Sequence, residues 1–216
     1  MKAVRIDFVS DVVCPWCVIG LKALEQALEK ASDVVTADIH FQPFELNPGM
    51  PPEGQNVAEH VAQKYGADPE RSRGTRDLIR NSAAALGFTI NSGPDSRIWN
   101  TFDAHRLLHW AALEGKQAEV KNALFEAYFT EGENPGATDV LVAAAKKAGL
   151  DGAAAREVLS SGRYIDEVRA DERFWREQGV NAVPAIVLDR KYMILGGQPP
   201  EAFERVLRKI AAEEAA

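Results

Sequence analysis

Cys14 and Cys17 are the only cysteines in 216 residues, and Pro15 and Trp16 separate them. A Cys-x-x-Cys pair can hold half of a zinc site, form a static bridge, or cycle between dithiol and disulfide. A structural zinc site needs four nitrogen or sulfur ligands at matching spacing, yet the four histidines are scattered along the chain. A bridge closing so short a loop would constrain little of the unfolded chain. Redox cycling fits the surroundings. The run from Val4 to Val9 reads as a buried strand, and the amphipathic run from Val18 to Lys30 reads as a helix. Cys-x-x-Cys at a strand-to-helix junction within a βαβ pattern is a thiol–disulfide motif.

The helix start explains the chemistry. With Cys14 as the N-cap, Pro15 falls at the first helical position, where its missing N–H has no partner to lose. Cys14 then stands where Ser or Asp usually stands, facing the free N–H groups of the first turn and the positive end of the helix dipole. Both effects favour thiolate over thiol. Cys17 lies one turn further in and should be the more buried of the two. The roles expected are attack by Cys14 and resolution of the mixed disulfide by Cys17.

These residues need a frame, and the chain supplies one in order. Residues 3–9 and 35–46 read as strands flanking a helix from about Pro15 to Lys30, in which Leu21, Leu24 and Leu28 share a face. The Pro- and Gly-rich stretch from Asn47 to Gln55 is a loop and a domain junction. Helical patterns follow over 57–65, from an Asp68 cap and Pro69 to Leu86, from an Asn100 cap to about 114, over 117–131, from Thr138 to Ala148, from an Asp151 cap to about Ser160, and from about Tyr164 to Gln178. Phe88-Thr89-Ile90 reads as extended. The chain then returns to β character. Residues 185–188 and 192–195 around Asp189-Arg190-Lys191 predict a hairpin, and an amphipathic helix starts at Pro200. The expected architecture is α/β. Residues 1–54 and 164–216 form a thioredoxin-like domain, and 55–163 form an inserted all-helical domain.

Composition bounds the partners. The chain is 46% apolar, which suits an ordinary globular protein. Its 25 basic against 32 acidic residues give a net charge of −7, which argues against nucleic acid or an anionic membrane as the main partner. No apolar run is long enough to span a bilayer. The start, Met1-Lys2-Ala3-Val4-Arg5-Ile6, carries charge inside its apolar run and lacks the hydrophobic region of a signal peptide. The expected location is the cytoplasm, where thiols are kept reduced and a Cys-x-x-Cys is more often catalytic than structural.

Val183-Pro184 precedes the third strand, a position where proline removes no central ladder bond. Asp11-Val-Val-Cys-Pro-Trp-Cys-Val-Ile-Gly20, Asn100-Thr-Phe-Asp-Ala-His-Arg-Leu107, Gly179-Val-Asn-Ala-Val-Pro184 and Gly196-Gly-Gln-Pro199 together resemble the FrnE-like branch of the DsbA family. The resemblance covers nearly the whole chain and keeps the order of the motifs. It implies a thioredoxin fold and disulfide oxidoreductase or isomerase chemistry. It also implies that Pro184 is a cis-proline facing the cysteines, which exposes the backbone of Val183 to an extended substrate. The substrates implied are a disulfide-containing protein or a low-molecular-weight thiol, together with a separate redox partner. The resemblance extends to 2-hydroxychromene-2-carboxylate isomerases, which use glutathione but typically have Ser where this chain has Cys14. Both cysteines are present here, so dithiol chemistry is the leading reading and no bound cofactor is expected. Glutathione as a co-substrate, in a pocket between the domains, is the alternative.

Further residues carry weaker signals. Pro15 and Trp16 are expected at the substrate-facing rim, and Trp16 cannot supply the positive charge of the His found there in DsbA itself. Asn100 and His105 match the family pattern and are expected to face the cleft. Asp7 is either a buried acid beneath Cys17, serving its proton transfer, or an ordinary strand residue. His105 and His109, four apart on a helix, are either a metal pair without an evident third ligand or a packed pair. Trp99, Phe102 and Trp110 read as core or cleft wall.

Overall fold

The computed structural model of the chain describes residues 1–66 and 69–213. In chain order the elements are β1 (Lys2–Ser10), α1 (Pro15–Lys30), β2 (Val35–Pro43), β3 (Gln55–Asn56), α2 (Val57–Tyr65), α3 (Pro69–Ala85), β4 (Arg97–Ile98), α4 (Phe102–Leu113), α5 (Gln117–Phe125), α6 (Thr138–Lys147), α7 (Gly152–Ser160), α8 (Ile165–Glu177), β5 (Ala185–Leu188), β6 (Tyr192–Leu195) and α9 (Pro200–Glu213). The main sheet has the order β2-β1-β5-β6, with β1 parallel to β2 and antiparallel to β5. Phe8 pairs with Phe41 on one side and Ile186 on the other, so the central strand is apolar in both registers. This is the thioredoxin arrangement, with helices inserted between β2 and α8.

Three apolar clusters hold it. On one sheet face Ile6, Phe8 and Ile186 pack with Leu21 and Leu24 of α1 and with Phe203 and Leu207 of α9; Phe125 and Phe129 of the helical block join them. On the other face Val9, Phe44, Ala185 and Val187 meet Trp175 of α8 and Val180. The third lies among α4 to α7, around Leu107, Trp110, Leu124 and Leu141, and takes in Val12 and Val13 of the loop entering the cysteine motif. That loop is therefore clamped by the helical block.

The β5–β6 hairpin forms as expected. Asp189 and Arg190 both take positive φ, +49° and +55°, the backbone that lets the three-residue connection 189–191 follow the twist of the strands. Other expectations shift. β2 ends at Pro43 rather than at residue 46, because proline brings no N–H to continue the ladder. Phe88-Thr89-Ile90, expected as extended, belongs to no regular element; Ile90 is buried and Phe88 sets its ring edge against Phe129. The short β3–β4 ribbon had no signal in two-residue strands. α5 passes into a π-helical turn at Glu126–Thr130 instead of continuing evenly to 131. The α4 cap is Thr101, one residue beyond Asn100, although Asn100 Oδ1 still accepts the Phe102 N–H at 3.0 Å. Asp68, the expected cap before Pro69, lies outside the described residues.

Candidate active site

α1 begins as the residue types dictate. Cys14 is an extended N-cap, φ −90° and ψ 112°, and Pro15 opens the helix. Both thiols are free. Cys14 is 3% exposed and Cys17 is fully buried. The expected capping bonds to the Cys14 sulfur are absent. The first turn is closed through the backbone instead, Cys17 N–H donating to the Cys14 carbonyl at 3.0 Å. The sulfur is turned the other way, where the Cys14 thiol donates to the carbonyl of Val183 at 3.6 Å.

Val183–Pro184 is a cis peptide bond at the start of β5. Two glycines bring it against α1. A Cβ on Gly20 would come 3.2 Å from the Pro184 ring and 3.4 Å from Gly197 Cα, and one on Gly197 would come 3.1 Å from the Trp16 carbonyl. Side chains at either position would wedge the helix away from the 183–184 segment. Trp16 is half-buried against the main core rather than standing free at the rim.

Beneath the motif lies a buried polar group that sequence reasoning missed. Lys121 of α5 is 0% exposed, and its Nζ has no hydrogen-bond partner among the described residues. It sits over the rings of Phe125 and Phe41, 4.9 and 5.9 Å from their centroids. Burial pushes its pKa down to about 8, against the pull of Cys17, Asp11 and Cys14, whose negative charges it feels. Asp11, also fully buried, accepts the Leu46 N–H at 2.8 Å and faces His105 Nε2 at 3.4 Å. Burial alone would raise the Asp11 carboxyl; His105, the Leu46 N–H and Thr101 together outweigh it and hold the group below its usual range. Burial pushes the Cys17 thiol well up, its hydrogen bond to Cys14 and the charge there push it further, and Lys121 acts in the opposite direction. The signal for Lys121 was its helical phase: it shares a face with Leu124 and Phe125.

The other sequence candidates divide. His105 is 2% exposed, faces Asp11 and also lines a cavity between β2, α4, α5 and α8. His109 turns to Asp171 at 3.8 Å and to the ring of Tyr164; the two histidines thus serve different carboxylates. Asp7 is buried, but Arg5 and Gln42 hold its carboxylate, at 2.7 Å from each. With its carboxylate committed to Arg5 and Gln42, Asp7 fits the ordinary strand residue of the two alternatives. Asn100 ties the start of α4 to the Pro48 carbonyl at 3.4 Å and lines a hollow with Met50, Asp103 and Asn134. None of its described contacts is with the cysteines. Trp110 is core, Trp99 packs on Gly54, and Phe102 lies under the Arg169 guanidinium at 3.7 Å.

Residues 5–208 match the DSBA-like thioredoxin domain. The chain belongs to that family. This DsbA-like protein is 31% identical over 205 residues to the uncharacterized protein YwbO of Bacillus subtilis, covering 94% of this chain and 96% of that one. Among solved structures, the probable DsbA oxidoreductase SCO1869 of Streptomyces coelicolor superposes with a TM-score of 0.88 at 35% identity, over 98% of this chain and 91% of that chain. Two more distant structures share the fold. A 2-hydroxychromene-2-carboxylate isomerase has a TM-score of 0.71 at 17% identity, over 98% of each chain. The cytosolic disulfide reductase DsbM of Pseudomonas aeruginosa, solved with glutathione (GSH), has a TM-score of 0.64 at 18% identity, over 95% of this chain and 98% of that chain. The family supports thiol–disulfide oxidoreductase or isomerase chemistry in general. No helix of the described residues is long and apolar enough to cross a membrane.

Proposed function

We propose that this DsbA-like protein is a dithiol–disulfide oxidoreductase in which Cys14 attacks, Cys17 resolves, and the Val183–Pro184 segment positions the substrate. The observation that carries this reading is the contact of the Cys14 sulfur with the Val183 carbonyl, with Cys17 held behind it as a buried thiol. An incoming extended disulfide segment takes the place of that contact, pairing with the Val183 backbone as an added strand. Its near sulfur then meets Cys14. Pro15 and Trp16 form the adjoining substrate surface. Residues 1–54 and 164–216 carry the redox pair and Asp11, and residues 55–163 supply the buried Lys121 and His105. The substrates are protein disulfides or low-molecular-weight thiols, and a separate thiol couple regenerates the site. The DsbM neighbour, described as cytosolic, supports a cytoplasmic setting.

The test is equilibration in glutathione redox buffers with thiol trapping, in the wild type and in Cys17→Ser. A reversible Cys14–Cys17 disulfide in the wild type, and a mixed disulfide that persists in Cys17→Ser, are the expected results. A potential near the thioredoxin value of about −270 mV assigns a reductase or isomerase, and one near −120 mV a strong oxidant. The GSH held by DsbM favours a second reading, glutathione-dependent isomerisation or transfer. That reading takes over if no disulfide forms and glutathione binding and turnover survive Cys17→Ser.

A further inference from the structure

We propose that Glu45 is a positioning residue for Cys14, and that a proton on its carboxyl loosens the loop that seats this cysteine. This rests on the dithiol reading above. Glu45 follows β2 and is 2% exposed. Its Oε2 accepts a bond from Arg169 Nη1 of α8, and the same nitrogen donates to Glu172 Oε2 at 2.7 Å. Glu172 is 4% exposed. Each carboxylate keeps a second buried oxygen, Oε1, without a hydrogen-bond partner among the described residues. Two buried carboxylates thus lean on one guanidinium nitrogen, the arrangement in which like charges drive one carboxyl to hold a proton.

Two supports of the cysteine loop meet at Arg169. One runs through the backbone. Leu46, next to Glu45, donates its N–H to Asp11 Oδ2 at 2.8 Å, and the Asp11 carbonyl accepts the Cys14 N–H at 3.3 Å. The other runs through α4. The Arg169 guanidinium lies 3.7 Å from the centroid of the Phe102 ring. Phe102 stands one turn before His105, whose Nε2 faces Asp11 Oδ1 at 3.4 Å. With Glu45 ionised, Arg169 fixes residues 44–46 and the start of α4 around Asp11. With Glu45 protonated, the charge-assisted bond becomes an ordinary one, and Arg169 keeps its ion pair with Glu172 alone. Residues 44–46 then hold Asp11 less firmly, and with it the Cys14 loop.

The groups around Glu45 favour this. From α8 it faces Arg169 and Glu172, and from α4 it feels His105. Burial raises its proton affinity most, and the Glu172 charge adds to this; Arg169 and His105 oppose them without prevailing. Two further cations on the segment serve other partners. Lys64 of α2 donates to the Leu46 carbonyl at 3.1 Å and to Asn47 at 2.7 Å, and Arg176 of α8 lies over the Phe44 ring at 5.6 Å. The cluster meets solvent through the Arg169 side chain, which is 38% exposed.

The experiment is stopped-flow reaction of the fully reduced protein with 5,5′-dithiobis(2-nitrobenzoate). The Cys14 thiolate attacks the reagent disulfide, forming a mixed disulfide and releasing one thionitrobenzoate. The rate of this first phase is divided by the thiolate fraction, read from ultraviolet absorbance at the same pH. In the wild type the rate per thiolate is expected to fall about tenfold between about pH 7.5 and about pH 5, within the scale on which changes along a packed network act. In Glu45→Gln it is expected to be lower by the same factor at every pH, with no pH dependence. In Glu172→Gln, where Arg169 serves Glu45 alone, the fall is expected at lower pH. A wild-type rate per thiolate that does not change with pH, or a Glu45→Gln profile that follows the wild type, overturns the assignment. Should Glu45→Gln not fold, the wild type and Glu172→Gln decide it, and a fall at the same pH in both overturns it. A wild type that releases one thionitrobenzoate instead of two fails the dithiol reading at Cys17, while the first phase still decides the role of Glu45.

Discussion

Two buried cations sit on consecutive helices of the helical block and are treated in opposite ways. Arg106 of α4, 3% exposed, is fully occupied. Its Nε donates to the Arg163 carbonyl at 2.9 Å, and Nη1 donates to Asp103 at 2.8 Å and to the Leu159 carbonyl at 3.3 Å. Nη2 donates to the Val158 carbonyl at 2.6 Å and to that of Ser161. The guanidinium thus covers the orphan carbonyls at the end of α7, where the helix dipole also favours a cation. Lys121 of α5 is just as buried, yet its nitrogen lies over the rings of Phe125 and Phe41 with no hydrogen-bond partner among the described residues. A saturated buried charge is architecture, and an unsaturated one is poised to change its state. The rigid planar fork of arginine suits the first task, and the readily shifted pKa of lysine suits the second.

The largest expected effect separates the two by sign. Arg106→Met leaves the α7 carbonyls without donors in a closed core, and the loss should be about 3–5 kcal/mol, the range for breaking a buried charged network. Denaturant unfolding reads it directly. Lys121→Met replaces an unpaired buried charge by an apolar chain of similar length and should leave stability at pH 7 unchanged or raised. A loss of several kcal/mol in both variants would erase the distinction between them.

The next effect is a pH dependence that Lys121 alone should show. Its folded pKa, about 8, lies below the ordinary value of 10.5. Between these values the unfolded chain holds a proton that the folded chain does not. The Lys121 contribution to unfolding free energy should therefore rise with pH from about 8 to 10.5, opposite in sign to that of Cys17, whose folded thiol keeps its proton above the free-thiol value. The rise should reach up to about 3 kcal/mol, because one proton held by the unfolded chain alone is worth about 1.36 kcal/mol for each pH step of one. In Lys121→Met this rise should vanish, and in Arg106→Met it should persist. Chemical denaturation at a series of pH values tests both variants in one experiment.

The same contrast bears on what the sequence could disclose. The cysteine pair, the helix it caps, the hairpin and the 183–184 segment were legible because each rests on local chemistry: an N1 proline, alternating apolar residues, a proline at a strand start. Asp7 was weighed as the buried acid because it is buried and upstream of the motif, but Arg5 lies two residues away on the same strand face and claims it. Asp11, in the loop, takes the place beneath the motif because Val12 and Val13 anchor that loop in the helical core. Lys121 is 104 residues from Cys17 in sequence, and only the docking of α5 brings them together. Its place among the apolar residues of α5 was visible in the helical phase. That burial would leave its nitrogen without a hydrogen-bond partner over the rings of Phe41 and Phe125 depends on tertiary packing that no local pattern encodes.

Asp11 offers the finest test, because it acts on both the fold and Lys121. Its folded pKa is lowered, so it contributes stability above the unfolded value of about 3.9, and this is lost as the pH falls through the folded value. Asp11→Asn keeps an acceptor for the Leu46 N–H but removes the charge facing His105. Stability at pH 7 should fall by about 1 kcal/mol, and the acid-unfolding limb below about pH 4 should flatten. The second effect is smaller and more telling. The Asp11 charge helps keep Lys121 protonated, so its removal should move the onset of the Lys121-dependent rise in unfolding free energy to lower pH. An onset that stays in place while the acid limb flattens would mean that Asp11 supports the loop alone. An onset that moves ties the buried carboxylate to the unsaturated member of the cation pair.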